Sequence, residues 1–548
     1  MKAFQAVNAA VAAEGLDRLF AVMGDANQDL IVDLGEHHGV KFVHAHHEGS
    51  AVAMADGYAR FSGKPGLASV TQGPGYTNAT TSLVAARLHR TPLLVLAGHA
   101  SFHDPYDPQG MVDQVALAKL TTEANVRLDS VRNVDYCLGE AFRQVKVRKG
   151  PFILNLPQNI QQADMHDPDW AYESMYRSNA LQPPRAQDVE EAARLLASAR
   201  RPTILCGLGA VNATAESEVR RLAEQLGAPV GVSLLASGFC ADYPLYLGVS
   251  GGLGSDLTVD TLADSDVMVV VGASLNEWTT DFGKLLKNGK KIIHIDSRPE
   301  AFGWFARVAI GMTADARTAV GALADRLSAT TEARRPNTQL QQQIQERNAW
   351  KVSYEDGDSV DPRRAAQYLE DTLPKDDRVL VLDGGHAAMV CTKVLTVPRA
   401  ENWEVGWDFG AIGQGLAIAI GACFGRPGQR VTHTTGDASF MMNVADFQTA
   451  VRHKLPLTVV VFNDNAVGQE KHDLIHKKLN PSYADTPQAD FAQLAAGFGA
   501  KGFTVRTPDD FGEIDKALAV EKGPVVIDVR INGDIELAAS WEIAKHLS

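Results

Sequence analysis

At 548 residues the chain is too long for one hydrophobic core, and domains of roughly 100 to 200 residues predict about three. A formal net charge of −14 excludes the basic footprint of a nucleic-acid-binding protein. The five cysteines are widely separated and form no CxxC, which excludes a disulfide framework and a zinc site, and no apolar run reaches the ~18 residues of a membrane span.

Taken in order, Met1 to Ala13 reads as an amphipathic first helix. Gln5 and Asn8 interrupt its alanines, and the strand-like LFAVMG follows where a leader would show a cleavage site. The expected location is the cytoplasm, with the cysteines as core thiols in a reducing compartment. Short β-branched runs then alternate with helical patterns: LFAVMG, KFVHAH, GLASVT and PLLVLAG; PTILCG, VMVVVGAS and KIIHID; RVLVLDGG, RVTHTTG, LTVVVFND and PVVIDVRI. Apolar strands separated by helices predict βαβ units and parallel sheets covered on both faces. Two polar stretches, 164–188 and 328–361, read as linkers. The fold class is therefore α/β, with three doubly wound parallel-sheet domains at about 1–165, 185–327 and 360–548.

In such sheets ligands bind beyond the carboxyl ends of the strands, where helix N-termini present free N–H groups. The segment Thr432 to Asp464 has Gly436-Asp437 at one strand end and Asn463-Asp464 at the next, one strand-helix-strand crossover apart. Two carboxylates so placed suit one hard cation, Mg²⁺ or Ca²⁺, and the helix starting near Ser439 would face a phosphate on that cation. Taken alone, either residue is as well explained as a turn or cap residue.

Other motifs join it in order: HHEGSAVAMADGYAR (His46 to Arg60), TQGPGYTN (Thr71 to Asn78), DGGHAAM (Asp383 to Met389) and GAIGQGLAIAIGA (Gly410 to Ala422). With Gly436-Asp437-Ala438 and Asn463-Asp464, this series resembles the thiamine diphosphate enzymes of the acetolactate synthase and pyruvate decarboxylase superfamily, over nearly the whole chain. The resemblance implies pyrimidine-binding, central and diphosphate-binding domains. It implies Glu48 as the carboxyl that activates the aminopyrimidine, a role suited to an apolar site. Gly73 and Asn78 would belong to its Gly-Pro-Gly loop. Ile412 would be the wedge under the bent cofactor, and the Gly410 carbonyl would accept from the exocyclic amine. His386 and Ala387 would cradle the diphosphate with Gly436, Ala438 and Ser439. Asp437, Asp464 and the Ala466 carbonyl would hold Mg²⁺. Ala438 and Asp464 depart from the family's Gly and Asn, and a shift of register by one would make Asn465 the ligand. Flavin is not expected, because GASLNEWTTDFGKLL lacks the acidic-basic cluster associated with it.

Two more carboxylates bear on the reaction. Asp25, in MGDANQDL, and Glu470, in NDNAVGQEKH, resemble the catalytic pair of the pyruvate and indolepyruvate decarboxylases, which can protonate the product carbon. A cap residue and a solvated charge are the alternatives. The adjacent His pair of those enzymes is missing, leaving His89, His99 and His103 as candidates to face substrate, with Gln109 or Gln114 near the substrate-side Gln of the synthases. The implied activity is decarboxylation of a 2-oxo acid with carboligation. The alternatives are a synthase-type transferase, a 1,2-dione hydrolase, and a non-catalytic cofactor binder. A homodimer is the implied minimum and a homotetramer is compatible. No nucleic-acid or membrane partner is expected.

Overall fold

The computed structural model describes residues 1–101, 108–167, 169–175, 181–287, 289–347 and 352–536, without the side chain of Arg148. The strands in chain order are β1 (Arg18–Ala21), β2 (Lys41–His44), β3 (Gly66–Val70), β4 (Leu93–His99), β5 (Ala124–Arg127) and β6 (Pro151–Pro157); β7 (Pro202–Cys206), β8 (Val230–Val232), β9 (Tyr246–Val249), β10 (Val267–Val271), β11 (Lys291–Asp296) and β12 (Ile310–Thr313); β13 (Val379–Leu382), β14 (Trp403–Val405), β15 (Val431–Gly436), β16 (Leu457–Asn463), β17 (Lys501–Val505) and β18 (Val525–Arg530).

They form three six-stranded sheets, ordered β2-β1-β3-β4-β6-β5, β12-β11-β10-β7-β8-β9 and β14-β13-β15-β16-β18-β17. Every pairing within them is parallel. Each sheet is doubly wound, its strand order reversing at β1/β3, at β7/β10 and at β13/β15; in the first and third sheets it reverses again at the edge, where β5 lies outside β6 and β17 outside β18. Central strands such as Val267–Val271 and Leu457–Asn463 are buried at every position, as strands covered on both faces must be.

The first helix, Ala3–Ala13, buries Ala3, Ala6, Val7, Ala10 and Val11, a spacing of three and four that lays one face on the sheet. The stretch 328–361 is more than a linker. It holds a helix, Thr338–Arg347, whose Leu340 and Ile344, one turn apart, enter the core of the second sheet. All five cysteines are buried and unpaired. No helix among the described residues is long and apolar enough to cross a membrane.

The first and third sheets are joined by the helices Glu48–Ser62 and Gly415–Gly425. These lie so close that a Cβ on Gly57 would come within 2.2 Å of the Ile418 carbonyl oxygen, and one on Gly421 within 2.1 Å of the Met54 carbonyl oxygen. Only glycine permits that approach, and it fixes where the ends of the two sheets stand.

Candidate functional site

Two groups of side chains gather at strand ends. In the first sheet, the loop after β1 is closed by Asn27, whose Oδ1 accepts from the Gly24 N–H at 2.8 Å and whose Nδ2 donates to Ser69. This leaves Asp25 exposed, accepting from the Thr71 hydroxyl at 3.2 Å. Glu48 opens its helix behind His47, whose Nδ1 accepts from the Gly49 N–H. Half-buried, Glu48 accepts from Asn78 Nδ2 at 2.9 Å, and a Cβ on Gly75 would stand 3.3 Å from its other oxygen. Gly73 has φ +59° and donates its N–H to Gln114 Oε1 at 2.9 Å. Gln114 is buried with its carboxamide also donating to the Gly98 carbonyl, while Gln109 accepts from Gln72. His99 ends β4 with Nδ1 at 3.0 Å from the Ala100 carbonyl. His103 lies outside the described residues.

The second group lines a cleft of about 1320 Å³ between the second and third domains, walled on one side by the first domain through Val84, Arg87, Leu88 and Arg90. His386, Ala387, Gly410, Ile412, Gly436, Asp437, Ala438, Ser439, Asp464, Ala466 and Glu470 all border it. Asp25, Glu48, Gly73, Asn78, His99, Gln109 and Gln114 do not. His89 reaches the cleft but is buried there, its Nδ1 2.7 Å from Asp408 Oδ2, so it is engaged by protein.

The Asn-Asp pair at the end of β16 divides by the strand's alternation. Asn463 turns inward and donates to Asp528 at 2.8 Å, while Asp464 faces the cleft. Asp464 accepts from the Ala466 N–H at 3.2 Å across Asn465, which has φ +54° and does not border the cleft. A Cβ on Gly468 would fall 2.6 Å from Asp464 Oδ2, so the glycine leaves that carboxylate its room. Asp437 accepts from the Thr486 hydroxyl at 3.1 Å. Burial, and then the neighbouring Asp464 charge, push the Asp437 carboxyl up to about 7; burial likewise raises Asp464. A buried carboxyl whose ionisation is disfavoured by a part-buried neighbouring carboxylate forms a site that gains from a divalent cation.

Around them, His386 is pushed down to about 4 by burial and then by His472, so its ring is neutral. Its buried Nε2 has no partner among the described residues, and its ring meets His472 edge-on at 5.0 Å. Gly385, Gly410 and Gly413 take φ of +83°, +72° and +87°. Ile412 is packed on the neighbouring loop, since a Cβ on Gly384 would meet its Cγ2 at 2.9 Å. Acceptors for a cation, a neutral donor and glycine turns with open space suit an anionic group bound through a metal. Three contributors were not assigned from sequence. His472 carried no pattern. Asp383 stands in DGGHAAM, where a strand-ending Asp before two glycines was a usable signal. Trp407, with Nε1 3.4 Å from the Cβ position of Gly384, was silent.

Three family models match successive parts of the chain. They describe the N-terminal TPP binding domain of thiamine pyrophosphate enzymes, over residues 1–117, the central domain, over 189–323, and the C-terminal TPP binding domain, over 383–529. The chain is 28% identical over 545 residues to sulfoacetaldehyde acetyltransferase of Castellaniella defragrans, covering 91% of this chain and 87% of that one. It is 28% identical over 553 residues to the acetolactate synthase isozyme 2 large subunit of Escherichia coli K12, covering 99% and 97%. Among solved structures, the thiamine diphosphate-dependent 4-hydroxybenzoylformate decarboxylase of Rhodococcus jostii RHA1 superposes with a TM-score of 0.83 at 21% identity, covering 97% of this chain and 99% of that one; it shares the fold.

Proposed function

Because the chain belongs to the thiamine pyrophosphate enzymes, we propose that it binds thiamine diphosphate with Mg²⁺ and breaks the C–C bond beside the carbonyl of a 2-oxo acid, releasing CO₂ and an aldehyde, with ligation to an acceptor aldehyde as a second outcome. The cofactor supplies a carbon nucleophile and an electron sink for the broken bond. Asp437, Asp464 and the Ala466 carbonyl hold the cation. His386 donates to the diphosphate, and Ile412 supports the cofactor's fold. Glu48, steadied by Asn78, exchanges a proton with the aminopyrimidine ring nitrogen.

The observation that carries decarboxylation is the pair of exposed carboxylates at the two strand-end groups: Asp25 beside Thr71, and Glu470 on the cleft rim. Each is free to hand a proton to the product carbon. The test is mass spectrometry of products over a panel of 2-oxo acids, with and without an acceptor aldehyde, for the native enzyme, Asp25→Asn and Glu470→Gln. The amide variants should keep first-turnover CO₂ release, slow aldehyde release by about tenfold or more, and divert product to the acceptor. A second reading, an acyloin-forming synthase, draws on the likeness to the acetolactate synthase subunit over 99% of the chain. Condensation of two oxo acids, with product ratios unchanged in both variants, would establish that reading instead.

A further inference from the structure

Asp383 follows β13 at the place where the third sheet reverses its order, the crevice at which doubly wound sheets receive ligands. It is 1% exposed, and among the described residues no Lys or Arg pairs with it. Its oxygens are met by donors from two loops and from the end of β15. The Gly384 N–H reaches Oδ1 at 2.8 Å. The Gly413 N–H is shared between the two oxygens at 3.1 and 3.2 Å, and the Thr435 hydroxyl donates to Oδ2 at 3.2 Å. Gly384 opens the loop to His386, Gly413 closes the turn that carries Gly410 and Ile412, and Thr435 precedes Gly436-Asp437.

A buried carboxylate without a cation costs stability, and a residue that merely filled this space would be better apolar. Burial raises the Asp383 pKa accordingly. The nearby His433 offsets the charge only in part, since burial lowers its pKa and its Nδ1 is bonded to the Val381 carbonyl. The packing around the carboxylate leaves no slack: a Cβ on Gly415 would come 3.0 Å from Asp383 Oδ2 and 2.6 Å from His433 Cε1. On its far side the Gly413 carbonyl accepts from Asn443 Nδ2 at 2.9 Å, so that turn is gripped through both backbone polar groups of one residue.

We propose that Asp383 is a positioning residue whose carboxylate ties these two loops and the end of β15 into the arrangement that receives the cofactor. The inference rests on the thiamine diphosphate reading above. It is tested by the dissociation constant for thiamine diphosphate at saturating Mg²⁺, followed by tryptophan quenching to which Trp407 contributes, alongside the melting temperature of the cofactor-free protein. Asp383→Ala should weaken binding at least tenfold in the folded protein. Asp383→Asn, whose Oδ1 still accepts from both glycine N–H groups, should restore binding to within about threefold. Thr435→Val, which removes one donor, should shift binding in the same direction as Ala. If Asp383→Ala does not fold, the Thr435→Val shift decides. An affinity within twofold of native in the deciding variant, whatever happens to its melting temperature, overturns the proposal. A native protein that does not bind the cofactor refutes the functional reading itself and is thereby distinguished.

Discussion

At the scale of single residues, the cation site is set by two carboxyls competing for protons. The Asp437 carboxyl stands near 7 against an ordinary 3.8, so in the empty site it holds a proton over most of the acid range. A raised carboxyl stabilises the cofactor-free fold below its ordinary value, and that contribution is lost as pH climbs through about 7. Metal binding has the opposite dependence, because the cation must displace the proton. Mg²⁺ affinity measured by titration calorimetry should fall about tenfold per pH unit below ~7 and level off above it; a flat profile from pH 5.5 to 8 would contradict this. Glu48 is a different case, since one oxygen accepts from Asn78 and the other faces the Gly75 backbone. Glu48→Gln preserves size and the Asn78 contact but not the acid. Cofactor affinity should stay within a few-fold while kcat falls about a thousandfold, and full activity would remove Glu48 from its role.

At the scale of elements, the join between the first and third sheets depends on one buried charge cluster and two glycines. Arg60, on the Glu48–Ser62 helix, forks onto Asp56 and also reaches Glu404 at 2.6 Å and Asp408 at 3.2 Å. Burial and Arg60 oppose a proton on His89, and Asp408 with Glu404 outweigh them, so its pKa is raised and it helps hold Asp408. Arg60→Met would strand two buried carboxylates, Asp56 and Glu404, and leave Asp408 only His89, at a cost of about 3–5 kcal/mol, read as a lower urea midpoint. Gly57→Val, driven into the Ile418 carbonyl, should cost about 1–3 kcal/mol or more. The i,i+4 spacing of Asp56 and Arg60 was visible in the sequence; their partners more than three hundred residues away were not. Strand legibility follows a similar rule. Interior runs such as VMVVVGAS and LTVVVFND announce themselves because both faces are buried. Five of the six edge strands, β5, β9, β12, β14 and β17, are three to five residues long and all but β14 are part-exposed, so their apolar signal is weak; the sixth, β2, is part-exposed too and was nonetheless legible in KFVHAH. β8 has only three residues, and β6, fully buried, is bracketed by prolines and broken by the polar Asn155. Motif residues on one crossover, Asp437 and Asp464, were legible from spacing. The Asp383 clamp was not, since its donors come from three separate segments of the chain.

At the scale of the whole molecule, the candidate site is divided. Asp25, Glu48, Gly73 and Asn78 stand at the strand ends of the first sheet, and none borders the cleft that holds Asp437, Asp464, Ile412 and Glu470. The helix pair with Gly57 and Gly421 packs the first and third sheets together within one chain. If a cofactor that needs both groups takes one from each of two chains, a twofold axis completes two equivalent sites at once. Subunit mixing tests this directly. Glu48→Gln and Asp437→Ala homodimers should each be inactive, because both their sites lack one essential group. After mixing by reversible dissociation, about half the dimers are mixed, and each has one site built from two unaltered halves, so about a quarter of native activity should return. If both halves of a site came from the same chain, every chain in the mixture would carry a lesion and no activity would return.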